Sequence, residues 1–351
     1  MNVYIFLLII FIILAISFSR DPKSKAANLF FILSLCLLFV FTVLRNEKIG
    51  ADTKTYYMGF IDIYNKGIES SFPYIFNWEI GYILYNKLIT FFSHSYYAFT
   101  ISVSFPIYIS LYFFIKKYSP NPFVSLMVFI CMGFYQQSMF VIRQWLAITV
   151  CLFSTKYVIN RSFWKFVILM VLAFLFHRTA LIFVPLYFVY GFTINEKTLL
   201  FYFAASILIA ALGSFIIVLF SPIVRSEYEI GFNGGIPMYV AIILTLFLFY
   251  YFVFIRDGGH SNKLLCSMMI MAMLVQPLAF YLSNIARVTE YFSISMIIIC
   301  PILIKGDKEQ VANKSRFLPS FIMLVLVLGI FVINFNGDSS YNFSEMLSSY
   351  L

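Results

Sequence analysis

Long uninterrupted apolar runs constrain this chain more than any other feature of its sequence. "NVYIFLLIIFIILAISF", "FYFAASILIAALGSFIIVLF" and "FLPSFIMLVLVLGIFVI" are examples. Each approaches the roughly 20 residues a helix needs to cross about 30 Å of hydrocarbon. Across 351 residues, 62% are hydrophobic and only 11% charged, against about 25% charged in an ordinary soluble domain. A soluble enzyme, a coiled coil, a disordered chain and a disulfide scaffold are excluded. So is an outer-membrane barrel, whose strands alternate apolar and polar residues. The fold class expected is all-α, a polytopic helical membrane protein.

The excess of 24 Lys and Arg over 15 Asp and Glu belongs in cytoplasmic loops and does not indicate nucleic-acid binding. The five cysteines (Cys36, Cys131, Cys151, Cys266, Cys300) lie in or beside apolar segments without redox or zinc spacing. The first apolar stretch lacks a basic lead-in and a cleavage site, so it is expected to be an uncleaved span.

Spans are expected at 2–19, 27–44, 97–115, 122–140, 142–159, 164–176, 179–191, 198–220, 237–255, 263–282, 285–304 and 317–334. Basic loops at 20–25, 116–121, 159–165, 256–263 and 305–316 should be cytoplasmic. That orientation needs 164–191 to be a short hairpin with His177 at its outer tip, because a charged pair at mid-bilayer would cost several kcal/mol. It also needs 79–93, which contains Glu79, Asn86 and Lys87, to be re-entrant or interfacial. The result is twelve crossings with both ends outside. No repeat is visible, and the polar stretch 45–78 is too short to fold alone, so 1–351 reads as one integral membrane domain, with 45–78 an outer-face loop.

Nine basic residues then fall outside against the charge rule: Arg45, Lys48, Lys54, Lys66, Lys87, Arg143, Arg178, Arg225 and Arg287. Five polar clusters gather on that face. They are Arg45 with Gly50, Asp52, Thr53 and Tyr56; Glu79; Arg143 with Gln144; His177; and Arg287 with Glu290 and Tyr291. Each has a plain structural explanation. Arg45 can snorkel to headgroups, Asp52 can form a turn, and Glu79 can cap a helix. His177 can serve as a hairpin-turn residue, and Arg287 and Glu290 can pair at i, i+3. Arg143 resists such treatment, because a cation at a helix start is disfavoured. His94 and His260 have no ligand partners nearby in sequence. Taken together, arginines suited to phosphate, carboxylates for proton transfer and abundant aromatics describe a lipid-linked sugar site.

The ordered set of motifs resembles the EpsG family of Wzy-like bacterial polysaccharide polymerases. The matching pieces are "LRNEKIGADTKTYYMGF", "WEIGYILYNKLI", "VIRQWLAITVCLFSTKYVINRSFWKFVILMVLAFLFHRTALIFVPLYF" and "ARVTEYFSISMIIICP". They run from about residue 40 to 190 and again near 285–301. Thr179 stands where Ser is more usual, and "GAD" and "WEIGY" vary the common wording slightly. The resemblance implies glycosyl transfer at the periplasmic face of a bacterial inner membrane. A growing glycan would pass from undecaprenyl pyrophosphate to the terminal sugar of another lipid-linked repeat unit. No cofactor and no metal is expected. A flippase and a chain-length regulator are expected partners, besides the bilayer and the lipid-linked oligosaccharide.

For that chemistry Arg143 and Arg287, then Arg45, are the candidates to stabilise the departing pyrophosphate. Gln144, Tyr56 and Tyr291 are further substrate-binding candidates. Asp52, Glu79 and His177 are the candidate bases. His177 ranks first, since imidazole ordinarily titrates near pH 6.5, and the choice among the three stays open in sequence. A flippase for lipid-linked sugars is the main alternative, although transporters commonly carry internal repeats. An O-antigen ligase-like glycosyltransferase, a dolichol-type glycosyltransferase, a membrane acyltransferase and an assembly subunit are the others.

Overall fold

The computed structural model describes residues 2–47, 49–50, 52–67, 78–220, 235–255, 262–282, 284–305 and 317–335. These residues are helical almost throughout, and no strand occurs among them. The loops 256–261 and 306–316, together with Lys48, Arg225 and His260, lie outside the described residues. The chain is a polytopic all-α membrane protein.

Two compact units divide it. The first comprises residues 1–154, 163–181 and 331–351, the second 155–162 and 182–330. In the first unit, α1 (Val3–Ser17) packs on α6 (Pro122–Cys131), and α2 (Lys25–Val43) packs on α5 (Tyr96–Tyr118). Short polar side chains start these helices by accepting free backbone N–H groups. Asn2, Ser24 and Ser95 take Tyr4, Ala27 and Ala98, while Asn121 takes Phe123 and Val124. α3 (Thr53–Lys66) and α4 (Ile80–Thr90) pack against each other and against α5. α4 also lies along α9 (Phe163–Phe176).

α4 has 11 residues, about 16 Å at 1.5 Å per residue, and cannot cross 30 Å of hydrocarbon. Its inner side carries Tyr82, Ile83, Asn86 and Ile89, and its outer side exposes Ile80, Leu84 and Leu88.

The expected span 122–140 is not one helix. It bends by 63° between α6 and α7 (Phe134–Phe140). The pivot is Gly133, at φ +79°, a left-handed conformation that glycine adopts without steric cost. α8 (Ile142–Ile159) follows. The run 164–191 is broken where sequence placed the break. α9 ends at Phe176, and a 3-10 turn over Arg178–Phe183 leads into α10 (Val184–Val189). Just before α9, Arg161 donates to the Tyr187 carbonyl and lies 4.2 Å from that ring's centre. The chain therefore leaves at 161 and returns by 187, as a hairpin must.

In the second unit, α13 (Lys263–Val275) is enclosed by α10, α11 (Glu196–Phe220), α12 (Ile236–Phe249), α14 (Asn284–Ser293) and α15 (Met296–Lys305). Its methionines 268, 269, 271 and 273 are buried, filling irregular space. Tyr281 donates to the Ala210 carbonyl at 2.7 Å, its ring lying against Gly213. α12 runs on into a π-helical turn over Tyr250–Ile255. α14 and α15 meet at 54°, so the expected span 285–304 is also broken. α16 (Phe317–Phe335) closes the described chain.

Twelve crossings are not confirmed. Among the described residues five helices are long and apolar enough to cross a membrane, or up to seven if each bent pair is one span. Val3–Ser17, Phe163–Phe176, Arg178–Val189 and Pro319–Ile333 are shorter apolar helices.

Candidate active site

Glu79 occupies the cap position of α4, with extended backbone, but its side chain makes no capping bond. It points instead at three basic residues of the first unit. Oε2 accepts from Nη1 of Arg143 at 2.6 Å. Oε1 lies 3.0 Å from Nδ1 of His177, accepts the Arg178 backbone N–H at 3.1 Å, and is 3.5 Å from Nε of Arg178. The glutamate side chain is 8% exposed, Arg143 17%, His177 18% and Arg178 53%. Three of these groups are thus held in a largely dry cluster, and one is half in solvent.

Local packing explains the meeting. Gly81 brings α4 against α9 so closely that an added Cβ would lie 2.6 Å from the Leu175 carbonyl oxygen. Leu175 is two residues before His177, so this approach sets the carboxylate beside the imidazole. Arg143 lies in the first turn of α8, where the helix dipole disfavours a cation, and the carboxylate opposite it offsets that cost. Burial pushes the Glu79 carboxyl up, but the His177 hydrogen bond, the Arg143 and His177 charges and the Arg178 N–H outweigh it. Its pKa falls from the ordinary 4.5 to about 2.

An aromatic wall adjoins the cluster. Nε of Arg143 donates to the Tyr56 hydroxyl at 3.4 Å, and its guanidinium carbon sits 5.7 Å from that ring's centre. Tyr56, Trp78 and Tyr82 are mutually in contact, with ring centres 5.1 to 5.9 Å apart. Gly59 leaves room for Trp78, since a Cβ there would be 2.2 Å from the indole. Burial pushes the Tyr56 and Tyr82 phenols up, so both are neutral hydrogen-bonding groups at physiological pH.

Of the residues singled out in sequence, the structure therefore brings together Glu79, Arg143, His177 and Tyr56. Asp52 stands at the cap position of α3 without a side-chain capping bond, and its charge is felt at Tyr56. Gln144 is buried in α8 beside Arg143 in sequence. Arg45 is 1% exposed, beyond α2, with its guanidinium on backbone carbonyls. It does not snorkel. Arg287, half-buried, and the buried Glu290 and Tyr291 are on α14 of the second unit.

Sequence reasoning missed Arg178 and Trp78 as site residues. Both are chain neighbours of residues it selected, His177 and Glu79, and that adjacency was the available signal. Among the described residues no three His, Cys, Asp or Glu side chains gather as a metal site.

Chemically the cluster offers a carboxylate, an imidazole whose far nitrogen the carboxylate does not use, and two guanidiniums, beside an aromatic wall. Comparison with the curated proteins and with the solved structures gives no match. The family model of the EpsG family, Wzy-like polysaccharide polymerases, matches residues 28–346. That match covers nearly the whole chain and contains the Glu79 cluster, and the chain belongs to the EpsG family.

Proposed function

We propose that this protein polymerises a lipid-linked glycan at the outer face of a bacterial inner membrane, as one integral membrane domain with the loop 45–78 contributing to the site. The donor is a growing glycan on undecaprenyl pyrophosphate, and the acceptor is the terminal sugar of a second lipid-linked repeat unit. The observation that carries this reading is the Glu79 carboxylate joining His177 to Arg143.

An ionised carboxylate can only accept hydrogen bonds. With His177 in its neutral form, the 3.0 Å contact with Nδ1 therefore places the ring proton on Nδ1 and leaves the lone pair on Nε2; the cationic form, whose charge helps depress the carboxyl, has no lone pair to offer. Glu79, held near pKa 2, is too weak a base for a sugar hydroxyl, so Nε2 of His177 is the base and Glu79 orients it. As the acceptor hydroxyl loses its proton to Nε2, its oxygen attacks the anomeric carbon of the donor. The bond from that carbon to the phosphate oxygen breaks, and undecaprenyl pyrophosphate departs with the electron pair. Arg143 and the half-exposed Arg178 supply positive charge for that developing anion. The Tyr56–Trp78 wall is assigned to a sugar ring, and the half-buried Arg287 of the second unit is kept as a separate substrate-binding candidate; the buried Gln144 and Tyr291 are assigned to positioning their neighbours. Asp52 supplies negative charge near Tyr56. A flippase delivers repeat units, and a separate regulator sets chain length.

The test replaces Arg143 and His177 separately by Ala in cells lacking the wild-type protein and examines the lengths of lipid-linked glycan. Single units reaching the outer face without long chains support the reading. Units trapped on the cytoplasmic side point to a transporter, and unchanged ladders at normal protein levels reject the site.

A further inference from the structure

Arg45 is the largest buried charged side chain among the described residues, and its surroundings do not fit a ligand for pyrophosphate. Its guanidinium is spent on backbone. Nη1 donates to the Thr42 carbonyl at 2.6 Å and Nη2 to the Met139 carbonyl at 3.3 Å, while Nε has no partner. These two carbonyls are near the C-terminal ends of α2 and α7, where helix carbonyls lack intrahelical partners and a cation is favoured by the dipole. The Arg45 carbonyl is itself held by the Tyr96 hydroxyl at 3.0 Å.

The contacts continue in order along the chain. Gly50, at φ +97°, is pressed on Phe140, an added Cβ lying 2.5 Å from the ring. Tyr56 then accepts from Arg143. Residues 45, 50 and 56 thus touch residues 139, 140 and 143 in the same sequence order. Between them lies the α7–α8 break at Val141, from which Arg143 reaches Glu79.

We infer that Arg45 is a positioning residue, which clamps the end of α7 so that Arg143 meets Glu79, and that it does not touch substrate. This rests on the polymerase reading for its kinetic consequence, and its structural consequence can be measured without any activity.

The structural arm compares hydrogen–deuterium exchange of monodisperse wild type, Arg45→Met and Gly50→Ala in detergent. The expected result is exchange at least tenfold faster over 139–146 in both variants, with α1 and α6 unchanged. Gly50→Ala strikes the same seam from its other anchor, so the test survives if Arg45→Met does not fold. Unchanged exchange over 139–146 overturns the inference.

The kinetic arm is a double-mutant cycle with Arg143→Lys, measured as turnover per folded molecule. Arg45→Met is expected to cost at least twentyfold in the wild-type background and under threefold beside Arg143→Lys. Full multiplication of the two losses would mean that Arg45 acts on substrate by itself. Full turnover per folded molecule in Arg45→Met would mean that it only holds the fold, and either result overturns the inference. Absence of polymerisation by wild-type protein would instead reject the function, while the exchange result would still decide the clamp.

Discussion

Replacing Glu79 by Gln preserves the volume at the centre of the cluster and removes its charge. An amide has one accepting oxygen, so whichever way it is turned, its NH2 must face either Arg143 or the donors of His177 and Arg178. The magnitude follows from the carboxyl's position. Moving it from 4.5 to about 2 corresponds to roughly 3 kcal/mol in favour of the ionised, partnered form, at about 1.4 kcal/mol per tenfold. Because the folded-state value is depressed, this stabilisation is present above about pH 4.5 and is lost as pH falls through about 2. At pH 3 only about 1.5 kcal/mol remains. Denaturant unfolding in detergent at pH 7 and pH 3 therefore has a definite expectation. Wild type exceeds Glu79→Gln by up to roughly 3 kcal/mol at neutral pH, the upper end holding while His177 is cationic, and the gap closes to about half or less at pH 3. Turnover should fall about 100-fold or more, since the amide cannot accept from Arg143 and His177 at once: its NH2 either faces the Arg143 guanidinium or displaces the acceptor that fixes the imidazole tautomer. A gap equal at both pH values, or one below about 1 kcal/mol at pH 7, would show that Glu79 is not held by these partners.

Three further substitutions probe how the site is held. Arg178→Gln should raise the KM for the lipid-linked donor about tenfold, while stability changes by less than about 0.5 kcal/mol, because the half-exposed side chain makes one long ionic contact. Steady-state kinetics with purified donor and unfolding curves measure both. Gly81→Ala puts a methyl against the Leu175 carbonyl oxygen and should destabilise by about 1–3 kcal/mol. It should also remove polymerisation in the molecules that still fold, as seen on glycan gels. Gly59→Ala drives a methyl into the Trp78 indole, with an expected cost of about 1–3 kcal/mol and a shifted tryptophan emission spectrum.

The helices were legible because an apolar run of span length leaves the backbone few other ways to satisfy its hydrogen bonds. Their interruptions were legible only where charge marked them. His177 and Arg178 betrayed the break in 164–191, whereas Gly133 sits inside an apolar stretch and gives no sign that it adopts positive φ. The bend near 294 was silent for the same reason. At the site, counting arginines on the wrong side of the charge rule found Arg143 and also Arg45. Their different surroundings are set by α7, which no local pattern around residue 45 specifies. Glu79 reads in sequence as a helix cap because its backbone is one. Its side chain turns away because Arg143 and His177, 64 and 98 residues later, offer stronger partners.

The positions of these groups within their helices bear on which kind of membrane protein this is. Glu79 precedes α4, Arg143 opens α8, and His177 follows α9. The carboxylate and its two closest side-chain partners therefore all come from helix ends. α4 and α9, with 11 and 14 residues, are each shorter than the roughly 20 residues of a span, so the cluster sits among helix ends and not within a span-length helix. Alternating-access carriers instead bind near the bilayer midplane, commonly at interruptions within spans. The inner side of α4 supplies Tyr82 to the aromatic wall while its outer side keeps Ile80, Leu84 and Leu88 exposed. The helix can thus present a carboxylate at its start without crossing. Under the proposed polymerisation, the reacting bond has to lie where a glycan in water meets a lipid held in the membrane, and a cluster of helix ends suits that requirement.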